Sequence, residues 1–172
     1  SKWYTNKSSY NVAYIGGDKM SMKKGLIVRL IENGTVIDHI PPGKGIVIAE
    51  MLNLFNQDSV VIIGQNLEST KYGRKDIIKV ENRFLKSEEY NKIALIAPNA
   101  TVNIIEDYKI KEKRKVTIPD VIEDVALCMN ANCISNREPV PSKLYLINRT
   151  PLKLLCHYCG YECNEKNIKL KA

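Results

Sequence analysis

Apolar residues fall along this chain in short runs separated by polar turns, and their spacing alternates between strand-like and helix-like. Residues 26–31 are mostly apolar and predict a buried strand, broken at Asn33-Gly34, a dipeptide that favours a turn. Extended chain resumes over residues 35–40 (TVIDHI) and ends at Pro41-Pro42-Gly43. Ile48, Met51, Leu52 and Phe55 recur at helical spacing, which predicts a helix over 44–55. Residues 60–64 are β-branched and apolar, and 76–81 alternate less cleanly; both read as strands. Ser87 suits an N-cap, with Glu88 and Glu89 in the first turn where the helix dipole favours negative charge. That helix is expected to run to about Ile96, before Ala97-Pro98. A strand over 101–105 follows, and residues 108–116 alternate into a long charged continuation.

The order strand, helix, strand, strand, helix, strand predicts an α+β protein with a ferredoxin-like βαββαβ domain around an antiparallel sheet. Ile118-Pro119-Asp120 marks a boundary, because beyond it the apolar content thins and all five cysteines appear. The expected organisation is an extension over 1–24, a first domain over 25–118, and a small antiparallel-β domain over 119–172. No internal repeat or low-complexity tract interrupts it.

Composition narrows the class. At 44% apolar and 26% charged residues, the 172-residue chain is ordinary globular material, neither disordered nor fibrous. No apolar run approaches the roughly 18 residues of a membrane-spanning helix, and residues 1–24 lack the apolar stretch of a signal peptide. An odd cysteine count, clustered late in the chain, points to metal rather than disulfides and predicts a reducing, cytoplasmic setting.

Cys128 and Cys133 enclose four residues, Cys156 and Cys159 enclose two, and 22 residues separate the pairs. Two close cysteine pairs on separate turns supply the four soft ligands of a tetrahedral, structural zinc ion. A segment this poor in apolar surface needs such a staple. His157 and Cys163 are the alternative ligands. His157 lies inside the knuckle, where a side chain points outward, and Cys163 reads as a small buried hydrophobe or free thiol. Four thiolates leave no open position for a reactive water, so no catalytic zinc is expected. No Ser/His/Asp set and no phosphate-binding glycine loop stands out either; catalysis within this chain is not expected.

The segments 33–41 (NGTVIDHIP), 73–82 (GRKDIIKVEN), 97–103 (APNATVN), 128–134 (CMNANCI) and 156–159 (CHYC) together resemble one family, the regulatory chain of aspartate carbamoyltransferase. The resemblance covers roughly residue 26 to the carboxyl end. It implies a non-catalytic subunit whose first domain, 25–118, binds nucleoside triphosphate effectors such as CTP, ATP and UTP. The zinc domain, 119–172, would then grip the catalytic chains. It also implies an assembly of two catalytic trimers joined by three regulatory dimers, so that a second copy of this chain is a partner. Carried over by position, the effector site would comprise Ile31, Asp38, His39, Lys79, Asn103, Ile105, Tyr108, Ile110 and Lys113, with Lys75 a further member. Those residue types suit the ligand. Lys113, His39 and Asn103 can meet a triphosphate, Asp38 can accept from ribose hydroxyls, and Lys79 can reach the sugar or a base carbonyl. Backbone groups near Ile31 and Tyr108 would read the base edge.

Charge supports a second reading. Of the net +7, residues 1–24 carry +4, from five lysines and one aspartate, beside Trp3, Tyr4, Tyr10 and Tyr14. A basic aromatic arm joined to a zinc segment fits a nucleic-acid-binding zinc ribbon. The zinc segment itself weighs against this. Residues 119–172 hold seven basic and six acidic groups, scattered, where a nucleic-acid ribbon needs a concentrated basic face.

Overall fold

A computed structural model describes residues 30–171; the arm over 1–24 and most of the run at 26–31 lie outside the described residues. The described chain divides by contact into two compact units, one of residues 30–85 with 99–116, the other of 86–98 with 117–171.

The first unit is built on a five-stranded antiparallel sheet of β1 (Gly34–Ile40), β2 (Val61–Ser69), β3 (Gly73–Glu81), β4 (Thr101–Glu106) and β5 (Lys109–Lys115). Its spatial order is β2-β3-β1-β4-β5. The first four strands in this order are the ferredoxin-like arrangement, with β5 added at the edge beside β4. The charged continuation over 108–116 is therefore a strand of its own. Asp107 and Tyr108 both take positive φ (49° and 61°), which turns the chain back on β4. Gly34 opens β1 at φ 141°, and a Cβ there would lie 2.0 Å from the Val80 carbonyl oxygen, so only glycine fits.

Alternation sorts the sheet into two faces. Ile37, Ile78, Val80 and Val102 are buried toward one of them. Helix α1 (Lys44–Met51) packs on β2 and β3 and buries Gly45, Ile48 and Ala49. The helix stops earlier than the predicted 44–55. The Leu52 amide bonds back to Ile48, Asn53 takes a left-handed φ of 54°, and a 3-10 turn, Leu54–Asn56, completes the segment. Asparagine tolerates that conformation, which a periodicity of apolar residues does not register.

Helix α2 (Ser87–Ile96) belongs by contact to the second unit. Its N-cap is Lys86, not the expected Ser87, because the Glu89 carboxylate three residues on accepts the Lys86 amide at 2.9 Å. The rest of the unit is short strands: β6 (Val121–Glu123), β7 (Ala126–Leu127), β8 (Lys143–Asn148), β9 (Lys153–Cys156), β10 (Glu162–Asn164) and β11 (Lys169–Leu170). A one-turn helix, α3 (Ile134–Arg137), lies between β7 and β8. The strands form an antiparallel sheet ordered β10-β9-β8-β6 and a separate β7/β11 pair. Ile122, Leu144 and Leu154 are the largest fully buried side chains of residues 119–172. So few cannot alone offset the ordering entropy of some 50 residues.

Candidate functional site

The sheet face opposite α1 carries most of the predicted effector residues. Directly opposed residues of antiparallel strands share a face. Val36 pairs with Lys79 on one side and Asn103 on the other, and Asn103 pairs with Lys113. Lys79, Val36, Asn103 and Lys113 thus form one row across four strands. Next to this row Asp38 pairs with Thr101. Ile31, Val36, Ile77 and Ile105 make a buried apolar cluster, with Leu67 and Ile110 packed against it.

The polar members of this face are buried to a degree that plain surface residues are not. Asp38 is 1% exposed, Lys75 4%, Lys79 7% and Asn103 6%. Lys75 Nζ lies 3.0 Å from Asp38 Oδ1. The same oxygen accepts the His39 amide at 2.6 Å. His39 Nδ1 lies 3.0 Å from the Thr101 hydroxyl, and its ring meets Tyr72 edge to face at 5.7 Å between centroids. Burial holds the His39 imidazole below its ordinary value; Asp38 opposes the shift, and the ammonium groups of Lys75, Lys113 and Lys71 reinforce it. Burial likewise draws the Lys79 ammonium down to about 8, against the pull of Asp38. The buried side-chain oxygen of Asn103 has no hydrogen-bond partner among the described residues. A buried acceptor left unpaired costs about 1–3 kcal/mol, so it marks a place where a donor is expected.

Of the nine predicted residues, Asp38, His39, Lys79, Asn103 and Lys113 gather on this polar face, and Ile31, Ile105 and Ile110 in the apolar patch beside it. Tyr108 sits exposed in the β4–β5 turn, its amide bonded to the Glu32 carbonyl at 2.9 Å. Thr101, Tyr72 and Lys71 were missed. A threonine at a strand end and residues in a polar turn carry no sequence signal of their own; only the fold brings them to His39.

The second unit holds the four cysteines. The sulfurs of Cys128, Cys133, Cys156 and Cys159 all lie within 4.8 Å of one another. Cys128 and Cys159 are 3.6 Å apart, Cys133 and Cys156 3.7 Å. Zinc–sulfur bonds of about 2.3 Å in a tetrahedron put sulfurs about 3.8 Å apart, so the cluster has the size of a four-cysteine zinc centre. The supporting shell is in place. Asn136 Nδ2 donates to the carbonyls of Cys128 (2.7 Å) and Asn130 (2.8 Å), tying the first knuckle, and the Gly160 amide donates to the Cys156 carbonyl (3.0 Å), closing the second. Burial pushes the Cys128 and Cys156 thiols up. At Cys159 burial acts the same way, but hydrogen bonds from the Tyr161 backbone and the Asn130 side chain outweigh it and bring the thiol to about 7. Zinc supplies the positive charge that four converging thiolates require. Neither alternative ligand joins them. His157 Nδ1 is 2.8 Å from the Tyr145 hydroxyl, and Cys163 is fully buried on β10 opposite Leu154.

Fold and metal centre define a class: an α+β chain of two modules, the second held by a structural zinc site of four cysteines that leaves no position open for catalysis. Comparison with known proteins then narrows the class. A family described as the aspartate carbamoyltransferase regulatory chain, allosteric domain, matches residues 26–117, and the metal binding domain of the same chain matches residues 120–169. The chain is 56% identical over 145 residues to the aspartate carbamoyltransferase regulatory chain of Pyrococcus abyssi, covering 83% of this chain and 95% of that one. It is 52% identical over 145 residues to that of Pyrococcus horikoshii, with the same coverage. Against that of Hyperthermus butylicus it is 45% identical over 152 residues, 87% of this chain and 95% of the other. The chain belongs to the aspartate carbamoyltransferase regulatory chain family, and is therefore a regulatory, non-catalytic subunit rather than a nucleic-acid zinc ribbon. Among the described residues no helix is long and apolar enough to cross a membrane.

Proposed function

We propose that the polar face of the five-stranded sheet binds nucleoside triphosphates (CTP, ATP and UTP) and that their binding is passed through the zinc module to the catalytic chains of aspartate carbamoyltransferase. On this reading residues 25–118 form the effector domain and 119–172 the zinc domain. Two catalytic trimers are joined by three regulatory dimers, each made of two copies of this chain, in the cytoplasm.

The observation that carries the reading is the polarity of the face. At one end Lys71, Lys75 and Lys113 converge electrostatically on His39. At the other end lie Ile31, Ile105 and Ile110, with the backbone at Tyr108. A nucleoside triphosphate has the same polarity, anionic at one end and a flat, largely apolar base at the other. Between the ends, the unpaired oxygen of Asn103 and the carboxylate of Asp38 are acceptors suited to an exocyclic amine or a ribose hydroxyl. Lys113 and His39 are donors suited to the phosphates.

Lys79 makes the reading testable by pH. Its ammonium has been drawn down to about 8, so it is charged below that pH and loses its charge as pH rises through it. A ligand that accepts a hydrogen bond from the ammonium binds best below pH 8. Affinity for CTP or ATP is expected to fall by about three- to tenfold between pH 7 and 9, and Lys79→Met to flatten that slope. Isothermal calorimetry on the zinc-loaded chain checks this. A wild-type affinity constant across that range would remove Lys79 from the site.

A further inference from the structure

Asp76 is fully buried on β3, and its carboxylate collects three backbone donors from two other segments. Oδ2 accepts the amides of Gly43 (2.9 Å) and Gly45 (3.0 Å), and Oδ1 accepts the amide of Asn66 (2.8 Å). Both neighbours of β3 bulge at this point. On β1, three steps from Ile37 to Ile40 oppose two on β3, from Ile78 to Asp76. On β2, three steps from Gly64 to Leu67 oppose two, from Ile77 to Lys75. One carboxylate therefore sits where two bulges meet. Among the described residues, α1 has no side-chain cap of its own and no acidic group in its first turn; Asp76 supplies both from the neighbouring strand.

The β1 bulge contains Asp38 and His39. His39 has φ 58°, a left-handed conformation that a non-glycine residue keeps only where its surroundings impose it. The chain leaving His39 passes through Ile40, paired with Asp76, and then Pro41-Pro42 to Gly43, whose amide Asp76 holds. Gly45 leaves room for this grip, since a Cβ there would come within 3.0 Å of both Cβ and Oδ2 of Asp76. The adjoining Lys75 points to the other face and holds Asp38. Consecutive residues of β3 thus grip the bulge from both sides of the sheet.

We propose that Asp76 is a positioning residue of the effector site: from the face opposite the ligand it pins the turn that carries His39, and so sets where the cationic end of the site lies. The consequence for ligands rests on the effector reading above; the consequence for His39 does not.

The test compares wild type with Asp76→Asn, which keeps the size of the side chain but replaces an acceptor oxygen with a donor amide. The chain has two histidines, so the His39 imidazole can be singled out and followed through a pH titration by proton NMR on the zinc-loaded protein. The groups facing His39 are Asp38, Lys71, Lys75, Lys113, the Thr101 hydroxyl and the Tyr72 ring. In wild type the His39 midpoint lies below its ordinary 6.5. In Asp76→Asn, a released and more hydrated ring is expected to titrate closer to 6.5. ATP affinity, by calorimetry, is expected to fall about tenfold, with adenosine affinity unchanged within twofold. General destabilisation would instead weaken both ligands alike, and that result overturns the proposal. So does an unmoved His39 midpoint, whatever happens to binding. If His39 moves but the wild-type chain binds neither ATP nor adenosine, the positioning role stands and the effector reading falls. Gly45→Ala is measured alongside. It crowds the same carboxylate without removing it, and a smaller shift of His39 in the same direction is expected. If Asp76→Asn does not fold, an unmoved His39 in Gly45→Ala decides against the proposal.

Discussion

Cys156→Ser is expected to unfold the zinc domain, residues 119–172, and release the catalytic partner while leaving nucleotide binding within about tenfold of wild type. Structural zinc sites of this kind contribute on the order of 10–16 kcal/mol of binding free energy, which is also folding free energy. The net stability of a whole domain is only about 5–15 kcal/mol. With Ile122, Leu144 and Leu154 as its largest fully buried side chains, that segment has little to replace such a loss. The effector residues Ile31 to Lys113 all lie in the first unit, which has its own sheet and its own buried core. Cys163→Ser should behave differently, because that sulfur lies on β10 outside the cluster of four. Zinc content per chain and gel filtration with the catalytic chain check both variants. Assembly by the Cys156→Ser chain, or zinc loss from Cys163→Ser, would show that the ligands have been misassigned.

Lys113→Ala is expected to weaken CTP and ATP binding by roughly 1.5–3 kcal/mol, the loss of a charge-assisted hydrogen bond to a phosphate. Lys113 stands on the edge strand β5, directly opposite Asn103 and within electrostatic reach of His39. It can therefore meet a ligand lying across the β4–β5 side of the face. Lys92→Ala, on α2 in the other unit, should change the affinity by less than about 0.5 kcal/mol, as surface substitutions away from a site do. Calorimetric titration of both variants separates the two cases. Equal effects would remove Lys113 from the site.

Much of this was legible in the chain because the signals are local. The two cysteine spacings announce a zinc knuckle pair without any knowledge of the fold. The imperfect alternation over residues 76–81 marks a strand buried on both faces. The ends of elements were harder, since single backbone angles decide them. Asn53 in a left-handed conformation shortens α1, and Asp107 with Tyr108 turns one long charged run into the hairpin of β4 and β5. The short strands after Val121 left no periodicity long enough to read. The effector face was harder still, because it depends on register. Lys79, Asn103 and Lys113 lie far apart in sequence and become one row only when β3, β1, β4 and β5 are aligned. Asp76 was invisible for the same reason. Its partners Gly43, Gly45 and Asn66 belong to a turn, a helix start and a bulge, none of which shows in an apolar pattern.

The central claim is that this face senses nucleotides on behalf of a catalytic partner. The aspartate saturation curve of the assembled enzyme, recorded with and without ATP or CTP, tests it most directly. With the wild-type chain, each nucleotide should shift the aspartate concentration at half-saturation, and with Lys113→Ala the shift at the same nucleotide concentration should largely vanish while zinc content and assembly stay intact. A wild-type curve that no nucleotide moves, or an undiminished shift in Lys113→Ala, would contradict it.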